Sequence, residues 1–221
     1  MKKKSPLNLD QPKLGYRYSV DALLLAKFIE TEPHSVWIDL GTGCGIIPIA
    51  VAMNKNYHHC YAIEIQSDLC FYAYKNIKKF NLLDKISIIE SDIRELLYFF
   101  PHNSTDFITT NPPYALPSKR KINTNYSIAI ARYELFININ DLLDVASYLL
   151  KQKGFLYIIY PYYDANNLYN LLATKSFNIH KKMIVKDAKK EMIKFVLIKT
   201  SLTKCNRISE NILFIQHNMN I

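Results

Sequence analysis

The chain has 221 residues, a formal net charge of +9 at neutral pH, and 49% hydrophobic residues. This length suits one domain with a sizeable core, and the hydrophobic content excludes wholesale disorder. Because no apolar run approaches the ~20 residues that span a bilayer and the start carries no signal-peptide pattern, we expect a cytoplasmic protein.

Short β-rich runs alternate with longer amphipathic runs from residue 20 onwards. We predict helices at residues 20–29, 46–53, 68–80, 139–150 and 164–174. We predict strands at residues 36–40, 60–64, 86–89, 106–110, 155–160, 179–185 and 192–200. Strands separated by helices imply right-handed crossovers, and the last two strands, joined without a helix, suit an antiparallel hairpin at the sheet edge. The pattern predicts an α/β, Rossmann-like fold with a mostly parallel seven-stranded sheet and helices on both faces.

Three of the five glycines lie between the first predicted strand and the next helix, at Gly41, Gly43 and Gly45. Glycines there let the backbone turn tightly and approach a ligand closely. The spacing is G-x-G-x-G, whereas dinucleotide-binding dehydrogenases have G-x-G-x-x-G. We therefore predict that this turn, with Thr42, binds the carboxylate and ribose side of S-adenosylmethionine.

Acidic residues lie at or just beyond the ends of the first three predicted strands. Asp39 is expected to reach the ammonium group of the cofactor, directly or through water. Glu64 suits hydrogen bonding to both ribose hydroxyls. Asp92 is placed to accept from the adenine amino group, although it is also a candidate N-cap for the following helix. Both roles of Asp92 can coexist.

The fourth predicted strand runs into Asn111, Pro112, Pro113 and Tyr114, at the end of the sheet where open α/β folds bind ligands. Prolines fix φ and lack an N–H, so Asn111 and Pro112 can present two rigid carbonyl acceptors to both hydrogens of one amino group. Tyr114 offers a flat face for stacking a base. These four residues are the predicted catalytic segment for methylation of a planar nitrogen. The motif itself does not choose among adenine, guanine and an amide.

Basic residues follow this segment and recur towards the C-terminus, where residues 175–207 hold ten Lys or Arg against Asp187 and Glu191. Such an excess suits a polyanion, although a general bias towards Lys in this sequence is the alternative explanation. The residues that we predict to contact RNA are Lys119, Arg120, Lys121, Arg132, Lys181, Lys182, Lys189 and Lys190.

The four cysteines form no CxxC pair and have no histidine at metal-ligand spacing. We therefore predict reduced thiols, no disulfide framework and no metal site.

With these residues, the chain resembles class I S-adenosylmethionine-dependent methyltransferases with an Asn-Pro-Pro-Tyr motif. More narrowly, it resembles the bacterial tRNA (adenine-N6)-methyltransferases that modify the adenosine next to the anticodon of a valine tRNA. The resemblance covers nearly the whole chain and is most specific at residues 11–26, 39–48, 111–114 and 131–134. It implies N6-methylation of a tRNA adenosine, with the loop after Tyr114 near the RNA.

The resemblance also implies an organisation of the chain and further cofactor contacts. Arg17 and Asp21 belong to a segment that closes over the cofactor. Residues 1–34 then form an N-terminal covering segment, residues 35–201 the methyltransferase domain and residues 202–221 a tail, within a single domain overall. We favour a monomer.

Three alternatives remain open at this point. Ribosomal RNA fits the positive charge equally well. Enzymes that methylate a release-factor glutamine use the same motif, but they usually carry an N-terminal helical domain, for which the 40 residues before the glycine turn leave no room. A non-catalytic RNA-binding module on the same fold is the third alternative, and the intact glycine turn, Glu64 and Asn111 argue against it.

Overall fold

The computed structural model describes residues 7–12, 20–112, 138–189 and 191–215. Its helices are α1 (Val20–Phe28), α2 (Ile46–Asn54), α3 (Ser67–Lys79), α4 (Leu96–Phe99), α5 (Ile139–Leu149) and α6 (Ala165–Thr174). Its strands are β1 (Val36–Leu40), β2 (His59–Glu64), β3 (Ile86–Glu90), β4 (Thr105–Thr110), β5 (Leu150–Pro161), β6 (Asn178–Asp187), β7 (Ile193–Ser201) and β8 (Ser209–Ile215). Two short 3₁₀ turns, Ile93–Glu95 and Tyr162–Asp164, complete the described elements.

The strands form one sheet in the order β3-β2-β1-β4-β5-β7-β6-β8. Strands β1 to β5 pair in parallel, whereas β7 lies antiparallel between β5 and β6. Helices cover both faces of this sheet. The predicted Rossmann-like fold with its antiparallel C-terminal hairpin is therefore confirmed.

The edge of the sheet differs from the prediction. The described residues form eight strands rather than seven, because residues 209–215 make β8, which pairs in parallel with β6. The β6–β7 hairpin is consequently covered by β8 and is not the sheet edge. In addition, β5 begins at Leu150, directly after α5, five residues earlier than the sequence pattern indicated.

Successive side chains of the strands enter two different hydrophobic cores. In β1, Trp37 packs in the core beneath α1 and α2, and its ring stacks on Phe107 of β4 at 4.9 Å between centroids. The next residue, Ile38, packs in the core on the other face, beneath α5 and α6. We call these the α1 face and the α6 face. Burial on both faces explains why the central strands are continuous apolar runs.

Within the described residues, no helix is long and apolar enough to cross a membrane. Cys44, Cys60 and Cys70 are buried free thiols, and Cys205 is a partly buried free thiol.

Candidate active site

The carboxyl ends of β1, β2 and β4 meet at one edge of the sheet, which we call the carboxyl edge. Leu40 at the end of β1 is level with Ile63 of β2 and with Thr110 at the end of β4. The Thr110 hydroxyl donates to the Leu40 carbonyl at 3.1 Å, which ties the ends of β1 and β4 together. Gly41 and Asn111 follow these ends, so the glycine turn and the Asn-Pro segment leave the sheet side by side.

The three glycines of the turn all have positive φ angles, at 72° for Gly41, 59° for Gly43 and 80° for Gly45. A residue with a Cβ costs about 1–2 kcal/mol in this left-handed region, so the backbone itself requires the G-x-G-x-G spacing. The amides of Gly41 and Thr42 donate to the Ile63 carbonyl at 3.0 and 2.9 Å, which fixes the turn against β2. Contacts within the protein therefore hold the turn in this conformation without a ligand.

Glu64 has a structural role that the sequence did not reveal. Its buried carboxylate accepts from the Gly43 amide at 2.9 Å through Oε2, and from the Ile65 and Gln66 amides at 3.0 Å each through Oε1. Burial raises the pKa of Glu64 above its ordinary value, although these backbone donors oppose the shift. A carboxylate has about four acceptor positions, so roughly one remains for a ligand hydroxyl. Glu64 braces the glycine turn, and its predicted ribose contact stays a prediction.

Asp39 is fully buried at the end of β1, beside the turn. Its Oδ1 accepts from the Thr109 hydroxyl at 2.5 Å, whereas Oδ2 has no hydrogen-bond partner of normal geometry among the described residues. Burial raises the pKa of Asp39 to about 7, although the Thr109 and Thr42 hydroxyls oppose this shift. A buried carboxylate oxygen without a donor fits the ammonium group of S-adenosylmethionine, which brings both a positive charge and N–H donors.

Asp92 caps the 3₁₀ turn that follows β3, as the alternative reading of its role predicted. It accepts from the Arg94 amide at 2.9 Å and from the Arg94 side-chain Nε at 2.9 Å. The Arg94 hydrogen bonds lower the pKa of Asp92, so this carboxyl is held in its charged form. Its predicted contact with the adenine amino group stays a prediction, and Arg94 is a neighbour that the sequence did not indicate.

The predicted catalytic segment is described only in its first half. Asn111 is partly exposed directly after β4, and Pro112 is buried. Asp21 is buried in the first turn of α1, where its Oδ1 accepts from the Ala22 amide at 2.8 Å, and α1 packs against α2. The remaining predicted residues of the site lie outside the described residues: Arg17, Pro113, Tyr114, Lys119, Arg120, Lys121, Arg132 and Lys190.

The predicted RNA-binding lysines in the described part of the chain do not lie together. Lys181 and Lys182 are consecutive in β6 and point to opposite faces of the sheet: Lys181 pairs with Glu30 at 3.0 Å, whereas Lys182 lies over the Tyr169 ring. Lys189 is exposed in the turn between β6 and β7, at the carboxyl edge.

Asn76 on α3 is a further residue of the site that the sequence analysis missed. Its fully buried side chain accepts from the Asp10 amide at 2.7 Å and donates to the Asp10 and Cys44 carbonyls at 2.9 and 3.0 Å. Cys44 belongs to the glycine turn and Asp10 to the N-terminal segment 7–12. One amide therefore holds these two segments together.

Comparisons with known proteins find that the chain is similar to methyltransferases. A family model described as RNA cap guanine-N2 methyltransferase matches residues 34–198. The chain is 26% identical over 193 residues to the tRNA1(Val) (adenine(37)-N6)-methyltransferase of Parabacteroides distasonis, covering 86% of this chain and 79% of that one. It is 29% identical over 163 residues to the enzyme of the same name from Histophilus somni, covering 73% of this chain and 67% of that one.

The fold is shared with solved structures at lower identity. The crystal structure of a predicted O-methyltransferase from Agrobacterium tumefaciens superposes with a TM-score of 0.66 over 90% of each chain, at 16% identity.

Proposed function

The chain belongs to the family described as RNA cap guanine-N2 methyltransferase and is an S-adenosylmethionine-dependent methyltransferase, and from that premise we propose that it methylates N6 of an adenosine in tRNA. The observation that carries the proposal is the register of β1 with β4, which brings Asn111 beside the glycine turn. The relatives named tRNA1(Val) (adenine(37)-N6)-methyltransferases favour the anticodon-loop adenosine of a valine tRNA. They do not favour ribosomal RNA, a release-factor glutamine or a non-catalytic module.

S-adenosylmethionine supplies an activated methyl group on a sulfonium centre, so no metal is needed for this reaction. Asp39 would bind its ammonium group through Oδ2, the oxygen that lacks a donor among the described residues. Glu64 would accept from a ribose hydroxyl with its remaining acceptor position while it braces the turn, and Asp92 would accept from the adenine amino group. The fit of S-adenosylmethionine to this site rests on these three carboxylates and on the glycine turn, whose backbone a ligand can approach closely.

Asn111 and Pro112 would act on the substrate amino group. The exocyclic nitrogen of adenine is conjugated with its ring and is therefore a poor nucleophile. The Asn111 side-chain carbonyl and the Pro112 backbone carbonyl would accept its two hydrogens, which favours a pyramidal nitrogen whose lone pair points at the methyl group. This contribution is positioning and electrostatic stabilisation, and Tyr114 would stack on the base.

RNA is the physically reasonable substrate for such a site. An anticodon-loop adenosine is unpaired and can be turned into a pocket without breaking a helix. Guanine N2 is the second candidate nitrogen, because the matching family is described by that activity. As a tRNA-modifying enzyme, the protein would act in the cytoplasm.

The decisive experiment is transfer of a labelled methyl group from S-adenosylmethionine to an unmodified valine tRNA transcript, followed by mass mapping of the methylated nucleoside. We expect N6-methyladenosine in the anticodon loop. A transcript with guanosine in place of that adenosine is the matched control and should stay unlabelled. Label on guanosine N2, on ribosomal RNA or on a release factor, with none on the tRNA, would overturn the assignment.

A further inference from the structure

Lysine side chains on the α6 face differ from those on the α1 face in their partners. On the α1 face, Glu30 forms ion pairs with both Lys181 and Lys199. On the α6 face, Lys182 and Lys186 of β6 form no ion pair with any described residue. The Lys182 ammonium instead lies 4.4 Å from the centroid of the Tyr169 ring on α6. The charges of Lys182 and Lys186 are therefore free to meet an external anion.

The same face carries apolar side chains that are exposed to solvent. In the parallel pair of β6 with β8, Ile184 is level with Ile212 and Lys186 with Phe214, and paired residues point to the same side. Ile212 is 53% exposed and Phe214 is 55% exposed. We define the β6–β8 surface as Lys182, Lys186, Ile212, Phe214 and Tyr169.

Two neighbours complete the surroundings of Tyr169. Burial raises the pKa of this phenol, and the nearby Tyr162 and Glu210 side chains raise it further. Tyr162 is 37% exposed and directly follows β5. Glu210 of β8 is directly opposite Lys182 on the same face, but the two side chains do not form an ion pair. Tyr169 therefore lies among one basic, one acidic and one aromatic side chain, Lys182, Glu210 and Tyr162.

The β6–β8 surface lies on the same sheet as the candidate active site, three strands away from β4. Strands β6 and β8 run in the same direction as β4 and β5, because β7 is antiparallel to both β5 and β6. Lys186 and Phe214 are the penultimate residues of their strands, and both lie beyond the level at which Asn111 leaves the sheet. Lys182, four residues before Lys186, is level with Thr110 at the end of β4, through Ile158 of β5 and Ile198 of β7.

Unpaired lysines interleaved with exposed aromatic rings are chemically suited to an RNA strand. Ammonium groups attract phosphates, and a ring provides a stacking face for an unpaired base. Self-association through β8 is the main alternative occupant. Two copies of a chain with a net charge of +9 repel each other, whereas RNA is a polyanion that this charge attracts.

We propose that the β6–β8 surface binds the RNA substrate outside the reacting nucleotide, with Lys182 and Lys186 on phosphates and Phe214 beneath an unpaired base. This inference rests on the proposed RNA methylation and adds the surface that holds the RNA to the site that modifies it. It also assigns only one of the consecutive lysines, Lys182, to the substrate.

The test is equilibrium binding of the unmodified valine tRNA transcript to the full-length protein over a range of salt concentrations. For Lys182→Gln/Lys186→Gln we expect roughly ten- to thirtyfold weaker binding at 0.15 M salt, and a log–log salt slope smaller by about 2. The matched control is Lys78→Gln/Lys85→Gln. It removes the same amount of charge near β3, which is the edge strand on the opposite side of the sheet from β8. The control should keep the wild-type slope and bind within about threefold of the wild type.

The substitution Phe214→Ala tests stacking on the Phe214 ring separately from the charges of Lys182 and Lys186. We expect it to weaken tRNA binding roughly fivefold or more while the salt slope stays that of the wild type. Phe71→Ala, at a 62% exposed ring on α3, is the control and should bind tRNA as the wild type does. Thermal unfolding of every variant checks that the fold is retained.

The outcomes distinguish this inference from the proposed function. If the wild type methylates tRNA but the lysine pair and Phe214 variants bind tRNA normally, the inference fails alone. If the wild type does not methylate tRNA but these variants still lose tRNA binding, the proposed function fails alone. A wild-type dimer in sedimentation that Phe214→Ala converts to a monomer, with unchanged tRNA binding, would assign the surface to self-association and overturn the inference.

Discussion

Asp39 and Glu64 belong to one buried cluster, but the protein uses their oxygens differently. Glu64 has three backbone donors, so its charge is satisfied within the protein. Among the described residues, Asp39 has no backbone donor of this kind and only the hydroxyls of Thr109 and Thr42 beside it, and burial raises its pKa to about 7. Near neutral pH, Asp39 is therefore poised between its neutral and charged forms. A cation that binds beside it favours the charged form.

The raised pKa of Asp39 predicts how the substitution Asp39→Asn changes the stability of the protein. The folded pKa of about 7 lies above the usual 3.8, so the protonated carboxyl stabilises the fold at low pH and that stabilisation is lost as pH rises towards 7. Cofactor-free Asp39→Asn should then be more stable than the wild type by about 2 kcal/mol at pH 5 and about 4 kcal/mol at pH 8. Urea unfolding at both pH values measures the difference.

The same substitution should weaken S-adenosylmethionine binding roughly tenfold or more, because a charge-assisted contact is lost. Asp68→Asn, on the exposed first turn of α3, is the control for both measurements. A stability difference that stayed constant between pH 5 and pH 8 would contradict the raised pKa.

A second prediction at the scale of single residues concerns Asn111. Asn111→Ala removes one proposed acceptor of the substrate amino group, so methyl transfer should fall by two to three orders of magnitude. Calorimetric binding of S-adenosylmethionine should change little. Asn170→Ala, at an exposed position of α6, is the control. Turnover of Asn111→Ala within about threefold of the wild type would exclude this role.

At the scale of elements, α3 connects the two segments that frame the cofactor site. Its buried Asn76 binds the backbone of Asp10 and of Cys44 with three hydrogen bonds. Ion pairs from Lys75 and Lys79 to Asp10 are exposed and contribute little. The position of the glycine turn therefore depends on a helix that the sequence presents only as a connection between two strands.

Asn76→Ala should destabilise the protein by about 3 kcal/mol, because it leaves buried backbone groups without partners. The KM for S-adenosylmethionine should rise more than kcat falls, since the turn is displaced but the acceptors at Asn111 and Pro112 remain. Urea unfolding and steady-state kinetics measure the two effects. An unchanged KM in the folded variant would mean that Asn76 supports stability alone.

Sequence patterns predicted the elements whose signal is local. The apolar run of β1 was predicted at both of its ends, and most other boundaries fell within one or two residues. β8 was missed because its first half, Ser209 to Asn211, is polar and exposed, so pairing with β6 alone makes it a strand. The start of β5 was missed because residues 151–153 are exposed at the end of the sheet opposite the active site.

In the candidate site, sequence patterns identified residue types but not their contacts. The glycines, Asp39 and Asn111 lie where the pattern of strands and turns indicated. The bracing of the turn by Glu64 and the links made by Asn76 depend on side-chain directions that only the folded chain sets. Strand alternation predicts that Lys181 and Lys182 point to opposite faces of the sheet, but only the structure shows which residues lie on each face.

At the scale of the whole molecule, the end of the sheet opposite the active site combines lysines with acids. At the end opposite the active site, Lys151 pairs with Asp106, and a cleft of about 450 Å³ is lined by acids and lysines together. Burial alone would raise the pKa of Glu30 there, but hydrogen bonds from Lys199 and Lys181 lower it. At this end of the sheet, Lys151, Lys181 and Lys199 are therefore neutralised by acids within the protein.

Cofactor binding should stabilise the molecule as a whole. A ligand at 100 times its Kd adds about 2.7 kcal/mol, which for a protein of this size corresponds to a rise in Tm of roughly 5–10 °C. Thermal unfolding with and without S-adenosylmethionine measures the shift, and ATP, which shares the adenosine but lacks the amino acid, is the control. An equal shift with both ligands would contradict the specific role of Asp39.

The antiparallel insertion of β7 also constrains how the molecule is made. While a ribosome is still producing β6, the outer edge of β5 has no strand to pair with, and β6 cannot dock against it, because the strand that belongs between them has not yet emerged. The second half of the sheet can therefore close only after residue 201 has left the exit tunnel. Until then the nascent chain exposes an apolar strand edge, which makes the last stage of synthesis the one most prone to aggregation.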